Sequence, residues 1–124
     1  FRKNHVLLHP NGHDTFNVIN HSKFESIPEG EAAGKSFKRL HRWRYSPTAA
    51  YGNNEVHLHP YLPRRISVAE ALAIQSLPED FSLPSDLPLS AKFKMVGNGV
   101  PYLLALGIAT ELREWLDAFL RRIE

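Results

Sequence analysis

The residues of this chain with the clearest chemical use are Asn98, Gly99 and Val100, set between Gly97 and Pro101. Pro101 suits the first turn of a helix, so the spacing predicts free N–H groups and a positive dipole end close to a glycine that lets a ligand reach the main chain. A small anion such as a carboxylate is what that geometry would hold; a plain helix cap is the other use of the same residues. A second candidate is the run 35–44, where Lys35, Lys38, Arg39, Arg42 and Arg44 lie among two aromatic residues with no acid. Such density suits phosphate contacts, which weaken with salt and position a duplex without reading it. The run also fits a solvated face with Phe37, Leu40 and Trp43 turned inward at three-residue spacing. His57 and His59 would share one face of a strand, but no third ligand stands at a fixed spacing, so no metal site is expected.

These residues need elements to hold them. Ser67 with Glu70 three residues later makes a capping box for a helix running to about Leu77, where Pro78 stops it. Ser90 can cap a short helix through Met95, with Gly97 placed to end it in a left-handed conformation. After Pro101 a long helix is predicted, with Leu104, Ile108, Leu112, Trp115 and Phe119, joined by Leu116, Leu120 and Ile123, in an apolar stripe at helical spacing. That stripe is expected to be buried in this chain's own core, with docking on a partner as the alternative. The first half is different: short alternations at 5–9, 15–19 and 55–59 read as strands, punctuated by Asn11-Gly12, Pro28-Glu29-Gly30 and Gly52-Asn53-Asn54.

The 124 residues suit one modest domain, and 43% hydrophobic with 23% charged is an ordinary globular composition. The absence of cysteine excludes a disulfide framework, a thiolate zinc site and a thiol nucleophile within these residues. Glu111, Arg113, Glu114 and Asp117 interrupt the longest apolar stretch, so no membrane span is expected. The net charge of +2 hides an asymmetry: ten Lys or Arg face five Asp or Glu up to Arg65, and five face eight from Ile66 onward. The basic half has the sign expected for a polyanion partner. The chain opens on Phe1 and its one methionine is Met95, so it is expected to be a piece of a longer protein.

Two stretches in a fixed order carry a family signature. Arg64-x-Ile66-Ser67-x-x-Glu70 with Gln75, Pro78 and Phe81, followed by Lys94-x-x-Gly97-Asn98-Gly99-Val100-Pro101, resembles the last two sequence motifs of DNA cytosine-5 methyltransferases. Upstream, Ser46 to Gly52 and His59-Pro60 look like the end of that family's target recognition domain. The resemblance implies an α+β chain: short strands and loops of a target recognition region at 1–63, a linking motif and helix at 64–85, and helices at 86–124 that complete a Rossmann-like methyltransferase lobe. It implies methyl transfer from S-adenosylmethionine to C5 of a cytosine flipped out of duplex DNA, since the reacting atoms are hidden in the base stack. The attacking cysteine and the glycine-rich cofactor loop belong to an amino-terminal lobe in the family. This chain is therefore expected to be inactive alone and to need that lobe or subunit, in a bacterial cytoplasm near the nucleoid.

The same resemblance assigns roles by position. Asn98, Gly99 and Val100 would close one side of the cofactor's pocket; Gly99 stands where alanine or serine is more usual. Thr48 would contact the backbone near the flipped nucleotide, and the loop carrying Asn53 and Asn54 would enter the major groove, although Gly-Asn-Asn is also good turn chemistry. Arg64, Arg65 and Glu70 would be scaffold between the recognition and catalytic lobes. A separate DNA-binding subunit of a split methyltransferase and an unrelated nucleic-acid-binding module are the competing readings.

Overall fold

In a computed structural model, residues 8–17, 21–48, 51 and 56–123 are described. The elements are α1 (His21–Ser26), β1 (Phe37–Arg39), β2 (Val56–Leu58), α2 (Val68–Ile74), α3 (Leu89–Asn98) and α4 (Tyr102–Ile123). The mixture is α+β, with a two-stranded parallel sheet in which Phe37, Lys38 and Arg39 lie opposite Val56, His57 and Leu58. Both edges of this small sheet are covered by loop backbone. Arg39 exchanges hydrogen bonds with Gly30 and Glu31, while His57 and His59 on β2's other side exchange them with Ile66 and Arg64. Gly30 makes the first of these turns at φ 87, where its lack of a Cβ spares a 3.0 Å approach to the His41 ring. The strand expected at 55–59 is therefore β2. Those expected at 5–9 and 15–19 lie partly outside the described residues, and their described parts are not strands. β1 lies within the basic run, whose spacing predicts instead a face with every third residue inward.

The core gathers around α2. Val68, Ala71 and Leu72 pack with Leu40, Tyr51, Ile66, Leu83, Phe93 and Val96. A helix of seven residues is too short to persist on its own, and its end groups must find partners outside it. The Ser67 hydroxyl accepts the Glu70 N–H and the Glu70 carboxylate accepts the Ser67 N–H, completing the predicted capping box. The loop at 11–15 takes the remaining donors: Val68 N–H reaches the Asp14 carbonyl at 2.9 Å and Ala69 N–H the Asn11 carbonyl at 3.3 Å. Asn11 is itself buried and clamps Leu83 through both halves of its amide. Asp14 in turn holds the buried Lys92 ammonium of α3 at 2.7 Å.

At its other end α2 stops at Ile74, earlier than the predicted Leu77, because Ser76 adopts φ 56. Leu77 N–H then reaches back to the Leu72 carbonyl and Ser76 N–H to that of Ala73, the pairing of a Schellman close without its usual glycine. α3 departs from expectation in the same region. It begins after Pro88 with no side-chain cap, runs through Gly97 and ends at Asn98, with Gly99 extended at φ −74. No left-handed glycine is needed, because the Gln75 amide donates to the carbonyls of Val96 at 2.9 Å and Gly99 at 3.4 Å.

The stripe on α4 is not part of the core. None of the 22 residues of this helix is buried. The helix is joined to the body at its first turn, where Tyr102 N–H donates to the Gln75 carbonyl and Leu103 N–H to the Ser76 hydroxyl. The expectation of burial within this chain is corrected, since the described residues supply no surface along the helix to pack against. Gln75→Leu keeps the buried volume and deletes the amide; it is expected to cost about 1–3 kcal/mol in urea unfolding, with the fastest-exchanging amides moving to the ends of α3 and α4.

Candidate functional site

A cleft of about 960 Å³ opens between the sheet and α3, and Asn98 and Gly97 stand on its wall. β2 supplies Val56 and His57, the segment leading into α2 supplies Arg65 and Ile66, and α3 supplies Ser90, Phe93 and Lys94. Tyr51 and Phe16 add aromatic faces to the lining; both pack on Phe93, with ring centroids 5.4 and 5.5 Å away. Such a site combines flat apolar faces with a few polar groups, the usual make-up of small-molecule pockets. Tyr51 is buried and its hydroxyl has no partner among the described residues, so burial alone raises its pKa. The Arg65 guanidinium lies 5.5 Å over the Phe16 ring at the cleft's edge.

The helix-start anion site expected at Asn98 and Gly99 does not form. Asn98 ends α3, at the negative end of its dipole. The first two N–H groups of α4 belong to Tyr102 and Leu103 and are already bonded to Gln75 and Ser76. What Asn98, Gly99 and Val100 offer instead is an exposed amide, an extended main chain and an exposed apolar side chain. A Cβ at Gly99 would lie 3.2 Å from the Val96 carbonyl oxygen, a tight contact that favours glycine in this conformation.

Behind the cleft, Arg64, Glu70 and His59 form a compact polar junction. Arg64 grips both Glu70 oxygens at 2.7 Å and also donates to the Arg65 carbonyl. The Glu70 carboxylate thereby caps α2 and fastens the 59–65 turn to it. His59 adds a third tie. Its Nδ1 accepts the Tyr61 and Leu62 N–H groups at 3.3 and 3.0 Å, which leaves the proton on Nε2, 3.6 Å from Glu70. Burial lowers the His59 pKa to about 4, against the opposing charge of Glu70. Burial also acts to raise the Glu70 pKa, but the Arg64 and Ser67 hydrogen bonds outweigh it and the net shift is downward. Among the described residues no cluster of possible ligands fit for a metal occurs.

The basic run divides. Arg39 points into the body, donating to the carbonyls of Pro60, Phe24 and Ile27 with its guanidinium 3.9 Å from the Phe24 ring. Arg42 pairs with both oxygens of Glu29. Lys35, Arg44 and Thr48 are exposed, and Lys38 is half-buried in β1. Asn53 and Asn54 lie outside the described residues. Trp43, expected to face inward, is 87% exposed, whereas Leu40 is buried and Phe37 half-buried. The sequence assigns no role to Tyr51, Lys92 or Asn11: Tyr51 lies within the Ser46–Gly52 stretch and Asn11 within the Asn11-Gly12 turn, and no signal marks Lys92.

The β2-centred cleft thus lies beside the Gly-Asn-Gly-Val-Pro connection, and Arg65 and Ile66 join it to the Arg64–Glu70 pair. The sequence model for C-5 cytosine-specific DNA methylases matches residues 2–114, and the chain belongs to that family. It is 61% identical over 118 residues to the type II methyltransferase M.NmeDI of Neisseria meningitidis serogroup C, covering 94% of this chain and 28% of that protein. It is 29% identical over 100 residues to the type II methylase M.HgiDII of Herpetosiphon aurantiacus, covering 75% of this chain and again 28% of the relative. The chain thus spans little more than a quarter of these relatives. No solved structure matches it.

The junction makes stability pH-dependent. The unfolded chain binds a proton at His59 near pH 6.5 while the folded one resists until about 4, so stability should fall as pH drops through that window. Asp14, lowered chiefly by its hydrogen bond to Lys92, and Glu70 act in the same direction further down: their contribution is present above the unfolded values of 3.8 and 4.5 and is lost as pH falls through the folded ones. Urea midpoints of His59→Asn should lose the slope between pH 6.5 and about 4 and keep the steeper loss below it; an unchanged slope in that window would count against the assignment.

Proposed function

We propose that this chain is the DNA-recognising and lobe-completing part of a cytosine-C5 DNA methyltransferase of the type II, restriction-associated kind. The observation that carries the reading is the unpartnered state of α4 beside an open cleft, in a chain that covers 28% of each of two methyltransferase relatives. A helix that buries nothing at home is suited to burial against the remainder of a larger enzyme. In this reading 1–63 belongs to target recognition, 64–85 links the lobes, and 86–124 enters a Rossmann-like catalytic lobe. Its place would be the bacterial cytoplasm, with the DNA.

S-adenosylmethionine, when bound, would supply an electrophilic methyl group. The residues at the cleft fit it in kind: aromatic faces on Phe16 and Tyr51 and polar groups on Asn98 and Ser90 suit a ligand with a flat base and charged ends. Asn98 would orient it by its side-chain amide, Gly99 would let it approach the main chain, and Val100 would shield it from water. Lys35, Lys38, Arg42, Arg44 and Thr48 would meet the DNA backbone, with Arg42 exchanging Glu29 for a phosphate. Asn53 and Asn54 remain the proposed base readers. Arg39, with Arg64, Arg65 and Glu70, would hold the recognition region at a fixed angle to the catalytic lobe, where an error of about 1 Å costs roughly a hundredfold in rate.

The test is a full-length M.NmeDI in which this chain replaces its matched segment. Transfer of labelled methyl groups to C5 of cytosine in duplex DNA is expected, whereas the chain alone, having no cysteine, should transfer none. Replacing Lys35 and Arg44 together by alanine should weaken DNA binding and reduce the salt-dependence slope by about 2. A folded but inactive chimera, or binding indifferent to salt, would overturn the reading.

A further inference from the structure

The first two turns of α4 differ from the rest of the helix. Residues 102–109, Tyr-Leu-Leu-Ala-Leu-Gly-Ile-Ala, carry no charged or amide side chain on any side, whereas Glu111, Arg113, Glu114 and Asp117 give the later turns a polar face. A helix apolar all round belongs in an interior. Yet Leu103, Leu104, Leu106 and Ile108 are 48–61% exposed. Within this stretch lies Gly107, the poorest helix former after proline. A Cβ added to it would meet nothing within 4 Å. Among the described residues nothing therefore requires a glycine there, and alanine would make a better helix. The glycine instead floors a shallow groove of about 660 Å³, walled by Leu103, Leu104, Ile108, Leu112 and Trp115 with Glu111 one turn beyond the glycine.

We infer that Gly107 is a crossing point, where a backbone element of the catalytic lobe packs directly against α4, and that the same lobe encloses residues 102–109 on every side. Glycine at a contact between elements removes the side chain that would hold two backbones apart. The lobe is the occupant because α4 continues directly from the Asn98–Pro101 connection beside the cleft, and because 28% coverage of two methyltransferases leaves most of such a protein to supply the enclosing surface. This inference rests on the proposed function and adds the contact's position and chemistry: an apolar element presenting its main chain, with Trp115 stacked on Phe119 at 5.6 Å further along the same helix.

The test compares one substitution in two settings. In the 124-residue chain alone, Gly107→Ala should slow hydrogen exchange of the α4 amides severalfold, because alanine favours the helix. In the full-length chimera the same change should lower the melting temperature and speed exchange at 102–109, with Gly107→Leu worse and Asp117→Ala, on the polar face, leaving both within error. Stabilisation by Gly107→Ala in both settings overturns the crossing point while leaving the lobe reading intact. Equal exchange of wild-type α4 in the chain and in an active chimera shows that the lobe does not enclose it, and overturns the inference. A folded chimera that is inactive and whose α4 is covered only by a second copy or by phospholipid vesicles overturns both readings; the apolar length of Leu89–Ile123 makes the vesicle arm necessary.

Discussion

The constraint on which this structure depends is the need to satisfy the ends of α2. Seven residues give a helix more unpaired end groups than internal bonds, and this one is buried, so water cannot serve them. The N–H groups of Val68 and Ala69 draw in the loop at 11–15, and that of Glu70 is met by Ser67. At the other end, Gln75 and Ser76 turn outward as acceptors and donors for α3 and α4. The order of the segments around the core follows from these bonds as much as from apolar contact.

Glu70 shows how one side chain can serve several of these demands. Its carboxylate accepts from Ser67 N–H and from both guanidinium nitrogens of Arg64, and it faces the proton of His59. The charge is tolerable in a largely buried place because it is hydrogen-bonded as well as paired. The turn at 59–65 is thus tied to α2, and Arg65 is delivered to the cleft with its carbonyl and guanidinium facing different partners. Arg39 plays a comparable part for α1, bonding the Phe24 and Ile27 carbonyls from β1. Positive charge in the first half is therefore of two kinds: arginines whose donors hold backbone, and exposed side chains such as Lys35 and Arg44 that leave the surface basic.

The contrast between α2 and α4 is equally physical. α2 is short and held on all sides; α4 has 22 residues, enough length to form once its first turn is fixed, and needs no lateral contact for its backbone bonds. Its apolar stripe is consequently left uncovered among the described residues. Asn98 and Gly99 sit between α3 and α4, where the packed body gives way to the unpacked helix: Asn98 is the last helical residue of α3, and Gly99 is extended and closes that helix by donating its N–H to the Val96 carbonyl.

Local signals in the sequence determined the capping box at Ser67 and Glu70, the strand around His57 and the helix after Pro101, each dependent on residues within a few positions of one another; the family membership was legible from two such local motifs, Arg64 to Phe81 and Gly97 to Pro101, standing in a fixed order. Longer-range facts were not legible. That Gln75 could end α3 in place of Gly97 and that Lys92 would be drawn inward by Asp14 are outcomes of contacts between residues far apart in the chain, while the positive φ by which Ser76 closes α2 occurs without the glycine that would have marked it. Periodicity marked the stripe on α4 as apolar, but only the tertiary structure decided that none of the described residues covers it, because hydrophobic pattern states a need for burial and the arrangement of neighbours determines whether it is met.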